Sequence, residues 1–212
     1  TAAYRFTPTP ALKPARPVTL EESRAAITVT TGPLKFVVRK TGFNLLDQVW
    51  LDRNANGVFE AGEQIIPSDL KNGGVFLPRT CAVAIQYDTA RKDLQVTVEE
   101  RGPMRAVIRV EAPARFYSTT NHLHGFAARI YAYAGQPFLK IDYQLQNSAK
   151  NVVRSWPLYM EALNLDFRLN LAAPPTVTFG LGNGQVFKIP ASSGATLAQE
   201  MHNRFKIYQA NS

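Results

Sequence analysis

Leu139-Lys140-Ile141-Asp142-Tyr143-Gln144-Leu145-Gln146 is the stretch whose reading decides the fold, because apolar and polar residues alternate through it without a break. Side chains of an extended chain point to opposite faces in turn, so a period of two marks a strand with one buried and one wet face. The same grammar runs outward in both directions. Residues 122–133 precede this strand across Ala134-Gly135-Gln136-Pro137, which reads as a turn. Further upstream, 27–31 and 34–40 are divided by Gly32-Pro33, and 44–51 follows the break at Thr41-Gly42. The middle of the chain gives 81–87, 94–100 and 104–111, with 88–93 and Arg101-Gly102-Pro103 as connectors. Downstream come 156–171, 176–181, 185–189 and 201–208, with Gly182-Asn183-Gly184 as a tight hairpin turn. The best helical segments, 19–25 and 196–202, are one or two turns long and read equally well as loops. Several strand runs exceed the usual ~5–6 residues, which suits two large, curved sheets packed face to face. The expected fold is therefore all-β, a large antiparallel two-sheet β-sandwich over residues 25–212.

Before it, residues 1–17 carry Pro8, Pro10, Pro14 and Pro17. Proline fixes φ and lacks the N–H that a helix or a central strand needs. Residues 1–24 are accordingly expected to form an extended Pro-rich arm or linker.

With 212 residues, 45% hydrophobic and 19% charged, the chain has the balance of one large β domain with enough apolar volume to fill a core. Cys81 is the single cysteine, so no intrachain disulfide forms, and its apolar setting in Cys81-Ala82-Val83-Ala84-Ile85 reads as a small buried side chain. No run approaches the ~18–20 apolar residues of a membrane helix, so no membrane span is expected. The chain opens with neither a charged n-region nor an apolar h-region, so a leader would have been removed or the segment cut from a longer chain. The net charge of +8 favours acidic partners such as a polyanionic polysaccharide. The basic residues are scattered, in pairs at most such as Arg39-Lys40 and Arg91-Lys92, and no basic stripe is interleaved with aromatics, so nucleic acid is not an expected partner.

The strongest chemical signal is Asp52-Arg53-Asn54-Ala55-Asn56-Gly57-Val58-Phe59-Glu60-Ala61-Gly62-Glu63, which fits the calcium-loop pattern D-x-[DN]-x-[DN]-G-x₅-E at every specified position. In such a loop Asp52, Asn54 and Asn56 offer side-chain oxygens at positions 1, 3 and 5, and Gly57 makes the sharp turn. Val58 offers its carbonyl at position 7, Glu60 binds directly or through water at 9, and Glu63 closes the shell bidentately at 12. Val49-Trp50-Leu51 before the loop and Gln64-Ile65-Ile66 after it read as strands, which fits a calcium loop of an extracellular β protein or dockerin and not a helix-loop-helix sensor. Asparagine at positions 3 and 5 lowers the ligand charge and places affinity in the range of about 10⁻⁴ to 10⁻³ M. A metal-free Asn56-Gly57 turn is the bland alternative, yet a turn alone needs none of Asp52, Glu60 and Glu63 at these offsets. The expected location is outside the cell or in the periplasm, with Ca²⁺ as the one expected cofactor.

Other residues carry weaker signals. His122 and His124 lie two apart and share a face if the strand is continuous, but no third metal ligand accompanies them. Arg129, Tyr131 and Tyr133 line the other face of that strand, a set able to neutralise a uronate carboxylate and take up its α proton, though commonplace on sheet surfaces. Arg105 and Arg109 with Glu99 and Glu111 read as a charge ladder across strands. Trp50, Trp156, Tyr159 and Phe167 would stack on sugars if exposed, and such strand aromatics more commonly fill a core. No nucleophile elbow, phosphate-binding glycine loop or zinc spacing is present, so no catalytic residue is assigned.

Four segments taken in order resemble a known family: Ile27-Thr28-Val29-Thr30-Thr31-Gly32-Pro33-Leu34-Lys35-Phe36, Gly42-Phe43-Asn44-Leu45-Leu46-Asp47, Val98-Glu99-Glu100-Arg101-Gly102-Pro103-Met104-Arg105-Ala106-Val107, and Arg129-Ile130-Tyr131-Ala132-Tyr133-Ala134-Gly135-Gln136-Pro137. Over about residues 25–170 the chain is similar to the central β-sandwich domain of the exo-rhamnogalacturonan lyase and YetA-like (PcRGLX-like) family. That resemblance implies a β-barrel-like domain before the sandwich and an α/α toroid after it, the toroid carrying most of the catalytic cleft. It implies a pectin-type carbohydrate context, and it matches no residue of this chain to a catalytic motif. The alternative expectation is a structural or adhesive subunit of an extracellular assembly, whose Pro-rich arm docks on a protein neighbour by strand addition.

Overall fold

A computed structural model describes residues 14–78, 85–118, 121–146, 160–171, 175–182, 184–190, 195–201 and 204–209. The Pro-rich residues 1–13, Cys81, Trp156 and Tyr159 lie outside these residues. Contacts divide the chain into two compact units, residues 1–169 and 170–212, where the sequence was read as one body from residue 25.

The first unit opens with β1 (Thr19–Glu22), β2 (Ala26–Thr30), β3 (Leu34–Arg39), β4 (Gln48–Leu51) and β5 (Gln64–Ile66), an antiparallel sheet in chain order. β6 (Gly73–Pro78) and β7 (Gln86–Tyr87) come next, then the long strands β8 (Gln95–Arg101) and β9 (Arg105–Ala112), and then the short hairpin of β10 (Arg115–Ser118) and β11 (Asn121–Leu123). β12 (Gly125–Tyr133), β13 (Leu139–Gln146) and β14 (Met160–Asp166) complete it. A four-stranded antiparallel sheet has the order β13-β12-β9-β8, and a smaller one the order β14-β6-β7. The end strand β8 is bulged between Val98 and Glu100.

Alternation places the core. Ile27, Val29, Leu34, Phe36 and Val38 from the five-stranded sheet are buried against Ala106, Ile108, Val110, Phe126, Ala128 and Ile130 from the four-stranded sheet, which is the sandwich core the period of two implied. On β13 the apolar residues are half-buried while Lys140, Asp142 and Gln144 are exposed. Phe43 and Tyr143 stack on the two sides of Phe126, with ring centroids 5.8 and 5.4 Å away.

Three expectations need correction. Residues 19–22 form neither helix nor arm: they pair with β2 from Thr19↔Thr30 to Glu22↔Ile27, so the sandwich begins at β1. Residues 44–47 form a bend and not the start of a strand, since Leu45 takes φ 64°, a left-handed conformation that no ladder accepts. Residues 195–201 are strand, not helix. They form β17 (Ala195–Met201), paired with β18 (Arg204–Gln209), while β15 (Thr176–Gly182) and β16 (Gln185–Pro190) make the other hairpin of the second unit. Pairing along its length, from Ala195↔Gln209 to Met201↔Arg204, outweighs the weak helical propensity of so short a segment. Among the described residues there is no α-helix, and no helix is long and apolar enough to cross a membrane.

Candidate functional site

The loop 52–63 is the connection between β4 and β5, so both of its ends are held by a ladder. Asp52 is buried at 6% exposure, and its backbone N–H donates to Pro33 O at 2.8 Å, which ties the loop to the β2–β3 turn. Its carboxylate turns inward: Oδ1 accepts from Asn56 N–H at 3.1 Å and Oδ2 from Gly57 N–H at 2.9 Å. Asn54 Oδ1 also accepts from Asn56 N–H at 3.0 Å, and Asn56 Oδ1 accepts from Val58 N–H at 2.7 Å. Gly57 at φ 79° and Ala55 at φ 58° make the left-handed steps that wind the chain around these oxygens.

Glu63 closes the loop from its far end. It is 6% exposed, its Oε1 accepts from Arg53 N–H at 2.8 Å and Asn54 N–H at 3.4 Å, and its Oε2 accepts from Glu60 N–H at 3.3 Å. The structure thus brings Asp52, Asn54, Asn56 and Glu63 together around one short turn of backbone, while the Glu60 and Val58 side chains are exposed. No group of three or more His, Cys, Asp or Glu side chains is gathered to hold a metal among the described residues. The oxygen donors of this loop are two buried carboxylates and two amides, a hard-oxygen set of the kind that suits Ca²⁺ and no softer ion. Phe59 beside it lies under the Lys35 ammonium, which also covers Trp50 at 4.0 Å, so Trp50 is a half-buried partner of a cation and not an open sugar platform.

A second polar cluster was not visible in the sequence. His124, fully buried between β11 and β12, stacks on Phe76 at 4.8 Å. Gln86 Oε1 accepts from the His124 backbone N–H at 3.0 Å, which fixes that atom as the amide oxygen, and therefore Nδ1, 2.8 Å away, donates to it. Nε2 faces Asp88 Oδ1 at 3.2 Å, and the Tyr143 hydroxyl donates to Asp88 Oδ2 at 2.7 Å. Burial, together with the facing Asp88 carboxylate, pushes the Tyr143 phenol above its ordinary range, so it stays a donor. Arg91, 5% exposed, donates to His124 O and to Pro113 O and pairs with Asp93 at 2.9 Å. Gly74 is required here, since a Cβ on it would stand against the Asp88 carboxylate and 2.7 Å from the Tyr143 hydroxyl. Glutamine, aspartate and tyrosine spread over 57 positions of sequence carry no spacing signal, which is why only the folded chain reveals the set.

This arrangement corrects the pairing of His122 with His124. The strand is interrupted at His124, which points into the core toward Asp88, so it forms no surface metal pair; the His122 side chain lies outside the described residues. Arg129, Tyr131 and Tyr133 do line the outer face of the four-stranded sheet. There Arg129 is bound to Glu99 at 2.9 Å, Arg109 lies 3.6 Å from Glu99 and Arg105 is bound to Glu100 at 2.7 Å, which are pairs across strands as the sequence indicated, whereas Arg109 with Glu111 and Lys140 with Asp142 pair along a single strand. Hydrogen bonds from Arg129 hold the Glu99 carboxyl below its usual range. Phe167 packs on the core.

No curated protein matches the chain. A family model described as the PcRGLX-like protein central beta sandwich domain matches residues 18–164, from just before β1 into β14. With all of the face-to-face sheets inside that match, the chain belongs to the PcRGLX-like family, as its central β-sandwich domain.

Proposed function

We propose that this chain is a calcium-stabilised, exported β-sandwich that serves as the scaffold and sugar-contacting domain of a pectin-type, rhamnogalacturonan lyase-like protein. Bond cleavage is then the work of a part of that protein other than the sandwich. The observation that supports the reading is that side-chain oxygens of Asp52, Asn54, Asn56 and Glu63, at the spacing of the calcium-loop pattern, all accept backbone N–H groups of one turn inside a domain of this family. The net charge of +8 supports an acidic polysaccharide as the partner, because it raises the local concentration of a polyanion.

Calcium binds the folded loop and not the unfolded chain, so it stabilises by mass action. At a dissociation constant of about 10⁻⁴ to 10⁻³ M and about 10 mM Ca²⁺, the gain is roughly 1.4–2.7 kcal/mol. For a chain of this size that raises the melting temperature by roughly 3–11 °C. The experiment is a melting curve in Ca²⁺, in Mg²⁺ and in EDTA, for the wild type and Asp52→Ala. A calcium-specific rise that disappears in Asp52→Ala is expected; equal curves in Ca²⁺ and EDTA would sink the loop assignment.

A further inference from the structure

A cleft of about 710 Å³ opens in the first unit, lined among others by Arg39, Leu70, Lys71, Tyr87, Thr89 and Asp166. Its size lies within the roughly 300–1,000 Å³ of small-molecule sites. Its walls come from the end of β3, the loop before β6, the turn after β7 and the end of β14. Gly42, at φ 60°, lies between these walls, where a Cβ would meet Leu70 at 3.8 Å and Thr89 O at 3.9 Å.

Buried polar side chains are bonded to both walls of the cleft, among them Asp88 and Arg91 on one and Asn44, Asp47 and Asn72 on the other. On one side Asp88, between the lining residues Tyr87 and Thr89, is clamped by His124 and Tyr143, and Arg91 locks the end of that turn. On the other side Asp47 accepts from Asn44 at 2.9 Å and from Ser68 at 2.7 Å and lies 3.7 Å from Arg39. Asn44 also donates to Asp69 O at 3.1 Å, Asp69 Oδ1 accepts from Lys71 N–H at 2.8 Å, and Asn72 Oδ1 accepts from Arg168 N–H at 2.8 Å, two residues beyond Asp166. Burying polar groups is costly unless each is paired, and a sandwich core alone needs none of them. Two such networks behind one concave surface are what a preorganised site requires.

The lining chemistry names the ligand. Arg39 and Lys71 face one carboxylate, Asp166, and Asp47 offsets Arg39 from behind, so the charge of the cleft nearly cancels and does not select a polyanion. Fixed donors, a carboxylate acceptor and hydroxyls of Thr41 and Thr89 stand beside the exposed rings and methyls of Tyr87 and Leu70, 44% and 56% accessible. Such a mixture suits a ligand with hydroxyls around its edge and C–H faces, which is a pyranose ring. We propose that this cleft is a saccharide-binding subsite. The assignment rests on the sugar-contacting reading above and gives that contact a place on the domain.

The test is calorimetric titration of the whole chain with a short rhamnogalacturonan oligosaccharide and with a short neutral galactan. The variants are Tyr87→Ala and Asp166→Asn in the cleft and Tyr131→Ala on the outer face of the four-stranded sheet; a melting curve of each verifies folding. Wild-type binding of at least one glycan, weakened about tenfold or more by both cleft variants and unchanged in Tyr131→Ala, is the expected result. Binding that survives both cleft variants overturns the subsite while leaving sugar contact intact. Absence of binding by the wild type to either glycan overturns both.

Discussion

Replacing Gly74 by alanine adds one methyl group where the fold has no room for it. The new Cβ would stand against Asp88 Oδ2, 2.8 Å from Asp88 Cγ and 2.7 Å from the Tyr143 hydroxyl, and none of these atoms is the free end of a flexible surface chain. Asp88 is 1% exposed and Tyr143 is bound to it, so relief requires breaking a hydrogen bond to a buried carboxylate or shifting β6 away from the turn after β7. Overpacking costs about 1–3 kcal/mol and a lost hydrogen bond to a charged group about 1.5–3 kcal/mol, for a total of about 2.5–6 kcal/mol. For a chain of this length that is a fall of roughly 5–24 °C in melting temperature. Gly62→Ala is the matched control, since a Cβ there meets nothing within 4 Å and φ is unremarkable, and it should stay within about 1 kcal/mol of wild type. The assay is urea denaturation at fixed calcium. The double variant Gly74→Ala, Tyr143→Phe should recover about 1 kcal/mol relative to the sum of the singles, because the hydroxyl that the methyl displaces is already gone. A Gly74→Ala protein that unfolds with Gly62→Ala would refute the close packing of the Asp88 clamp.

Tyr143→Phe alone removes one donor from a buried carboxylate and should cost about 1.5–3 kcal/mol in the same denaturation series; a neutral result would mean that water replaces the hydroxyl. Phe36→Ala, at a fully buried position of the shared core, should cost about 3–5 kcal/mol with an unchanged denaturant slope. The acid side is set by glutamates held below their usual range: Glu99 by Arg129, Glu22 by Lys40 and Arg101, and Glu100 by Arg105. A lowered carboxyl value gives stability that is present above the ordinary glutamate value of 4.5 and is lost as pH falls below it through the folded values, so melting temperature should decline there. Because these pairs are exposed, the decline should shrink at about 1 M salt and be shallower in Arg129→Gln; parallel curves for wild type and variant would count against the ladder.

The sandwich was readable because its faces are periodic: Ile27, Val29, Leu34, Phe36 and Val38 alternate as the buried face of a sheet must, and so do Leu139 to Leu145. Reading failed where pairing and not pattern decides the outcome. Thr19-Leu20-Glu21-Glu22 has no apolar alternation, yet β2 offers it a full set of partners, and Gly73-Gly74 opens a strand that glycine content argues against. The tight winding of residues 52–63 was legible because the side-chain oxygens that hold its backbone are local, all within twelve positions. Gln86 and Asp88, His124, and Tyr143 come from three segments that only the folded sheets bring together, and Leu45 at positive φ gave no glycine to announce the bend.

The bulge in β8 bears on how this protein behaves at high concentration. An unprotected outer strand offers a second chain a regular row of amide groups to zip onto. Here the extra residue breaks that row between Val98 and Glu100, and it falls in a run of two consecutive glutamates, Glu99 and Glu100, that are each engaged by arginine. An incoming strand would have to match a kinked repeat and bury carboxylates already committed elsewhere, so the margin of this sheet resists the stacking that leads to fibres.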